Sequence, residues 1–156
     1  MIVLKFGGTS LGSPAAFGNA VAIVEKAMPL DPIVVVSALS GVTDDLVRFG
    51  RDVQARQDVA SRVETRHREL AQALGLPAAA LDSLLAAWRQ AAAPLGVASS
   101  PLDARALDAI LQFGERLSAA LFAAGLASRG IPARAVDAAS AGLVTDDCFG
   151  AAHPLP

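Results

Sequence analysis

Met1-Ile-Val-Leu-Lys-Phe-Gly-Gly-Thr-Ser10 opens the chain and decides how the rest is read. Residues 2–6 read as a short buried strand, with Ile2, Val3, Leu4 and Phe6 closed by a Gly-Gly break. Lys5 stands inside that apolar run, one residue short of its carboxyl end. A buried ammonium is costly unless it meets an anion. Gly7 and Gly8 lack side chains, so their backbone can come close to a ligand and aim N–H groups at it. Thr9 and Ser10 add two hydroxyls, and Ser13-Pro14 signals a helix start, with Ser as cap and Pro in the first turn. A cation, bare amides, hydroxyls and a helix amino end together describe an anion site at a strand-to-helix turn. The stretch matches neither G-x-x-x-x-G-K-[ST] nor G-x-G-x-x-G. A tight turn whose lysine snorkels to water is the other reading these residues allow.

Outward from that turn, Phe17, Val21, Val24 and Met28 recur at helical spacing over residues 14–28, and Pro29 ends the run. Ile33-Val-Val-Val36 is a continuous β-branched stretch, which predicts a strand covered on both faces, as in a parallel sheet. Residues 50–72 carry a dense pattern of Arg, Asp and Glu that predicts a solvated helix face. Residues 78–98 predict another helix, with Trp88 in the core. Residues 102–128 give the longest helical pattern, with Leu107, Ile110, Leu111, Leu117, Leu121 and Phe122 on one stripe. Ala133-Arg-Ala-Val136 reads as a third strand and Leu143-Val-Thr145 as a short further one. The order strand, helix, strand, several helices, strand predicts an α/β fold with a mostly parallel sheet.

Composition narrows the class. At 156 residues the chain is one domain or a piece of one, and 53% hydrophobic residues with a mean hydropathy of +0.46 are enough to build a core. A formal net charge of −2 and few aromatics give no support for nucleic-acid or anionic-membrane partners. Cys148 is the one cysteine, which suits a reducing compartment. With no signal peptide and no run of membrane-spanning length, the protein reads as cytoplasmic.

Ligands of parallel α/β sheets bind beyond the carboxyl ends of the strands. Two turns lie at such ends. The second, Ser37-Ala-Leu-Ser-Gly-Val-Thr43, offers three hydroxyls around Gly41 and leads into a helix start near Thr43. It suits a carboxylate, and it equally suits simple helix capping. A third element is Gly114-Glu-Arg-Leu-Ser118. On a helical wheel Gly114 falls inside the apolar stripe, Glu115 at its edge, and Arg116 faces solvent. Glu115 either receives a substrate ammonium or pairs with a surface arginine. His67, His153 and Cys148 lack metal-ligand spacing, so no protein-built metal site is expected. Asp44, Asp45, Asp146 and Asp147 read as capping or surface acids.

Lys5-Phe-Gly-Gly-Thr-Ser10, then Val36-Ser-Ala-Leu-Ser-Gly-Val-Thr-Asp44, then Gly114-Glu-Arg-Leu-Ser118 resemble, in this order, the aspartate kinases (aspartokinases) of the amino acid kinase superfamily. Ala141-Gly142, Thr145-Asp146 and Phe149-Gly150 are similar to that family too, so the resemblance runs from residue 1 to about 152. Other amino acid kinases share the first motif in looser form, whereas the combination is specific to aspartokinases. The resemblance implies a three-layer αβα sandwich and transfer of the ATP γ-phosphoryl group to the side-chain carboxylate of L-aspartate, with Mg²⁺ on the phosphates. It implies that Lys5 neutralises the transferring group and that Phe6, Gly7, Gly8, Thr9 and Ser10 form the phosphate side. Ser37 and Thr43 would hold aspartate carboxylates, and Glu115 its α-ammonium. An intact parent enzyme is expected to be a homo-oligomer. The family's later Gly-Arg-Gly-Gly-Ser-Asp segment has no counterpart here. Residues 1–156 therefore read as the amino-terminal, amino-acid-binding lobe, without the nucleotide lobe or ACT domains, and inactive alone. A non-catalytic amino-acid-binding module and a glutamate- or acetylglutamate-type kinase are the competing readings.

Overall fold

The computed structural model describes residues 1–155. In chain order it contains β1 (Ile2–Phe6), α1 (Pro14–Ala27), β2 (Pro32–Val36), α2 (Val42–Arg51), α3 (Arg56–Ala73), α4 (Asp82–Gly96) and α5 (Ala104–Ala127). Short 3-10 turns at Gly8–Ser10, Met28–Leu30, Val53–Ala55 and Ala78–Leu81 join them. The caps explain two helix starts. The Ser13 hydroxyl accepts from Ala16 N–H at 3.2 Å with Pro14 in the first turn, and the Asp103 carboxylate accepts from Ala106 N–H at 2.7 Å.

β1 and β2 pair in parallel, with Lys5 opposite Val35 and Phe6 opposite Val36. The α/β class and the parallel sheet are as the sequence predicts. The sheet is covered on one face only. Leu4, Phe6, Val34 and Val36 pack into the core beneath α1 and α5. On the other face Val3 is 59% exposed, Ile33 50% and Val35 46%. A run of β-branched residues thus reads as covered on both faces although only its alternate members, on one face, are buried against the core.

α5 is the spine of the core. Ile110, Phe113, Leu117, Leu121 and Phe122 are buried along it, and Phe122 meets Phe6 and Phe17 at ring-centroid distances of 5.6 and 5.3 Å. Trp88 is a core residue, 5.6 Å from Phe49 and 5.5 Å from Phe113, and donates its indole N–H to the Ala60 carbonyl at 3.2 Å. Two expected strands differ. Residues 133–136 are exposed and pair with nothing among the described residues, so no ladder forms there. Near 143–145 there is only an isolated antiparallel bridge, Thr145 to Pro154.

α3 departs from a purely solvated helix. Arg56 and His67 are fully buried on it. Its outer face is tied to α4 through Glu64, which accepts from Arg68 at 3.0 Å and from Arg89. The Arg89 hydrogen bond, then those of Arg68, hold the Glu64 carboxyl down at about 2 against burial, which opposes them. Among the described residues no helix is long and apolar enough to cross a membrane.

Candidate functional site

The turn after β1 is built by close approach. Gly7 is extended and leads into the single turn Gly8–Ser10. A side chain on Gly8 would lie 2.7 Å from the Ala38 carbonyl oxygen and 3.2 Å from the Ser40 nitrogen, both backbone atoms, so only glycine lets the two turns touch. Gly12 repeats this, with a Cβ position 3.1 Å from Ser40 Cβ. The amides of Gly7, Gly8 and Thr9 donate no hydrogen bond among the described residues. The Lys5 Nζ lies 3.9 Å from where a Gly7 Cβ would stand, so amine and glycine amides share one place. Lys5 is exposed, contrary to the burial its neighbours predict, because odd-numbered positions of β1 point to the uncovered sheet face. Phe6 turns into the core and supplies its carbonyl to Ser37 N–H at 3.1 Å.

That bond carries the ladder from β2 into the second turn. Gly41 has φ +79°, a left-handed conformation that glycine adopts without strain, and it precedes α2 with no side-chain cap. Val42 and Asp45 N–H groups bond to Leu39 and Gly41 carbonyls, and those of Thr43 and Asp44 have no partner among the described residues. Uncapped first-turn amides, with the exposed Thr43 among them, are a ready acceptor for a carboxylate. Asp44 and Asp45 lie in that same first turn and oppose anion binding.

The third motif closes the arrangement. Glu115 Oε1 accepts from the Ala38 amide at 3.3 Å, bridging 77 residues. Gly114 makes this possible, since a Cβ there would sit 2.8 Å from Ala38 Cβ. The predicted orientation of the neighbouring pair is reversed. Glu115 is exposed, while Arg116 is half-buried with its guanidinium 5.3 Å over the Phe113 ring. The three motifs therefore meet at the carboxyl ends of β1 and β2. Lys5, Gly7, Gly8, Thr9 and Ser10 lie on one side, Ser37 and Thr43 around the second turn, and Glu115 bridges to it from α5.

Two further groups brace the second turn and were not singled out from sequence. Arg62 and Arg66 of α3 reach Asp45 at 3.0 and 3.8 Å, and an Arg66 guanidinium nitrogen lies 2.9 Å from the Cβ position of Gly41. Their four-residue spacing places both on one helix face and was the available signal. Among the described residues no group of three or more His, Cys, Asp or Glu is placed to hold a metal ion.

Known proteins resemble this chain in sequence and fold. The family model of the amino acid kinase family matches residues 1–153. The aspartokinase of Chlamydia pneumoniae is 34% identical over 156 residues, covering 98% of this chain and 33% of that protein. Aspartokinase 3, chloroplastic, of Arabidopsis thaliana is 29% identical over 155 residues, covering 94% of this chain and 27% of the relative. The crystal structure of E. coli aspartokinase III in complex with aspartate and ADP superposes with a TM-score of 0.80 at 25% identity, over 99% of this chain and 34% of that one. The chain spans about a third of the length of the curated relatives it matches. With its motifs assembled at the strand ends and the family model matched over nearly all its length, the chain belongs to the amino acid kinase family.

Proposed function

We propose that this chain is the amino-acid-binding and phosphate-facing part of an aspartate kinase. The observation that carries the reading is the Glu115–Ala38 hydrogen bond, which puts a carboxylate from α5 at the turn that also carries Ser37 and Thr43, directly against the Gly7-Gly8 turn. In this reading Glu115 keeps Oε1 on the Ala38 amide and offers Oε2 to the substrate α-ammonium. Ser37, Thr43 and the open amides of α2 receive its carboxylates. The side-chain carboxylate then faces the Gly7-Gly8 amides and the Lys5 amine.

The reaction would be ATP plus L-aspartate giving ADP and 4-phospho-L-aspartate. A carboxylate oxygen forms a bond to the γ-phosphorus as the bridging β–γ oxygen bond breaks and leaves with its electron pair. Such a transfer is driven by positioning and by neutralising charge on the moving group. Lys5 and the glycine amides do the second. Glu115, Ser37 and Thr43 do the first. Among the described residues no side-chain cluster is placed to hold a metal ion, so Mg²⁺ would come with the nucleotide and supply charge neutralisation, and no step is assigned to it. A cytoplasmic location and a homo-oligomeric parent belong to the same proposal.

Calorimetric titration with L-aspartate, L-glutamate and N-acetyl-L-glutamate tests it. Aspartate binding that drops about tenfold or more in Glu115→Gln, the size of one lost charge-assisted hydrogen bond, is expected. The chain alone should form no aspartyl phosphate in a hydroxylamine trap. Preference for glutamate, or binding indifferent to Glu115, would overturn the assignment.

A further inference from the structure

A cavity lies beside Leu39 and Ser40, between the start of α1 and the carboxyl half of α3. Its volume is about 270 Å³. Arg66, Glu69 and Ser40 supply its polar wall, and Leu39, Leu70 and Pro14 its apolar one. None of these residues belongs to the aspartate site proposed above.

The charges of α3 show why this cavity is unlike the rest of that helix. Seven charged residues lie on it. Arg56 is spent on backbone carbonyls. Asp58 and Arg62 pair with each other at 3.3 Å, and Arg62 also holds Asp45. Glu64 and Arg68 are paired at 3.0 Å, with Arg89 and Asp82 completing that network. Two remain. Arg66 donates no hydrogen bond among the described residues, and its nearest carboxylate, Asp45, is 3.8 Å away. Glu69 has no ion pair among them, not even with Arg66 one turn back. Arg66, held only by that longer contact to Asp45, and Glu69, with no ion pair among the described residues, are the charges of α3 that line the cavity.

One cation, one anion, a hydroxyl and an aliphatic wall in a space of this size are complementary to a zwitterion with an apolar side chain. We propose that this cavity binds a free α-amino acid of that kind. Its carboxylate meets the Arg66 guanidinium and the Ser40 hydroxyl, its ammonium meets the Glu69 carboxylate, and its side chain lies on Leu39, Leu70 and Pro14. Both charged partners are needed, since either alone would leave the opposite end of the ligand dehydrated without a partner. The Arg66 guanidinium also abuts Gly41, so a ligand that draws on Arg66 touches the Ser37–Thr43 turn as well. This site does not depend on the kinase reading.

The test is a nitrogen–proton correlation titration of the intact chain with three probes: L-leucine, 4-methylpentanoate, which lacks the ammonium, and 3-methylbutylamine, which lacks the carboxylate. Leucine should shift the amides of Gly12, Ser40 and Gly41 and the Arg66 side-chain Nε saturably. The two half-ligands should bind about tenfold or more weakly. Arg66→Gln and Glu69→Gln, both exposed side chains whose loss leaves the core intact, should each weaken leucine by a similar factor. Glu69→Gln should leave 4-methylpentanoate unchanged. Absence of saturable shifts up to about 10 mM leucine would overturn the proposal. So would equal affinity for 4-methylpentanoate, which would make the cavity a plain anion site, or leucine binding indifferent to both substitutions. A titration with L-aspartate in the same samples reads the Ser37, Thr43 and Glu115 region separately, so the two sites stand or fall independently.

Discussion

Arg56 is predicted to be the most consequential polar residue of the fold. It is fully buried yet meets no carboxylate among the described residues. Its guanidinium donates five hydrogen bonds to backbone carbonyls. Nε bonds to Phe49 at 3.0 Å, Nη1 to Leu95 and Ala98 at 2.7 and 2.9 Å, and Nη2 to Gly50 and Ser100 at 3.4 and 2.7 Å. Phe49 and Gly50 are in the last turn of α2, and Leu95 is in the last turn of α4. The charge is thus neutralised by two helix carboxyl ends, whose orphan carbonyls carry partial negative charge. Hydrogen bonds to a charged group contribute about 1.5–3 kcal/mol each, but five made by one group are far from additive. Removing the guanidinium leaves these carbonyls without their donor, and a buried acceptor left unsatisfied costs about 1–3 kcal/mol. Arg56→Ala should therefore destabilise the chain by about 4 kcal/mol, or lower Tm by about 8–16 °C at this size. Arg56→Lys, with three donors and no planar fork, should recover less than half of that. Urea unfolding followed by Trp88 fluorescence reads the change, since Trp88 stacks near Phe49 in the same region. The loss should be insensitive to salt because the group is out of solvent. A cost below about 1 kcal/mol for Arg56→Ala would refute the reasoning, showing that guanidinium dehydration offsets the five bonds.

Two further predictions concern the site and the core. Gly114→Ala should gain about 1 kcal/mol of helix propensity and lose more to the 2.8 Å clash with Ala38 Cβ, which is fixed to the turn backbone. Net destabilisation with an even larger loss of aspartate binding is expected by unfolding and titration, and a stabilised variant with unchanged binding would contradict it. His67 is buried, bonds through Nδ1 to the Val63 carbonyl at 2.7 Å, and has no partner for Nε2 among the described residues. Burial lowers its pKa below the usual imidazole value, outweighing the Val63 bond. The unfolded chain then takes up the proton more readily, so stability is full above about pH 6.5 and falls as acid is added. Unfolding free energies measured from about pH 7 down to about pH 5 should decline, and His67→Phe should flatten that slope.

What could be read from the chain in advance follows how local each cause is. The β1 turn, the Ser13 cap and the α5 stripe are set by residues a few positions apart, and the structure has them where the sequence places them. Gly8, Gly41 and Gly114 were visible as glycines, but their reasons come from Ala38, Ser40 and Arg66, distant along the chain. Burial was the least legible property. Lys5 reads as buried from its neighbours because a β-branched run does not reveal that one face of its sheet is open. Arg56 reads as a surface charge because its partners are carbonyls, and every residue type carries one. Any arginine can in principle be satisfied by two helix ends, and no spacing within α3 distinguishes the one that is. The candidate site escaped that limit because its parts had to be unusual residue types. Paired glycines after a strand and a glycine inside a helix stripe each break a local rule, the lysine among apolar neighbours draws notice beside them, and local rules are broken where close approach or a ligand repays the loss. The three features lie on separate elements, and their meeting at one end of the sheet ties them to a common purpose more firmly than any one of them does alone.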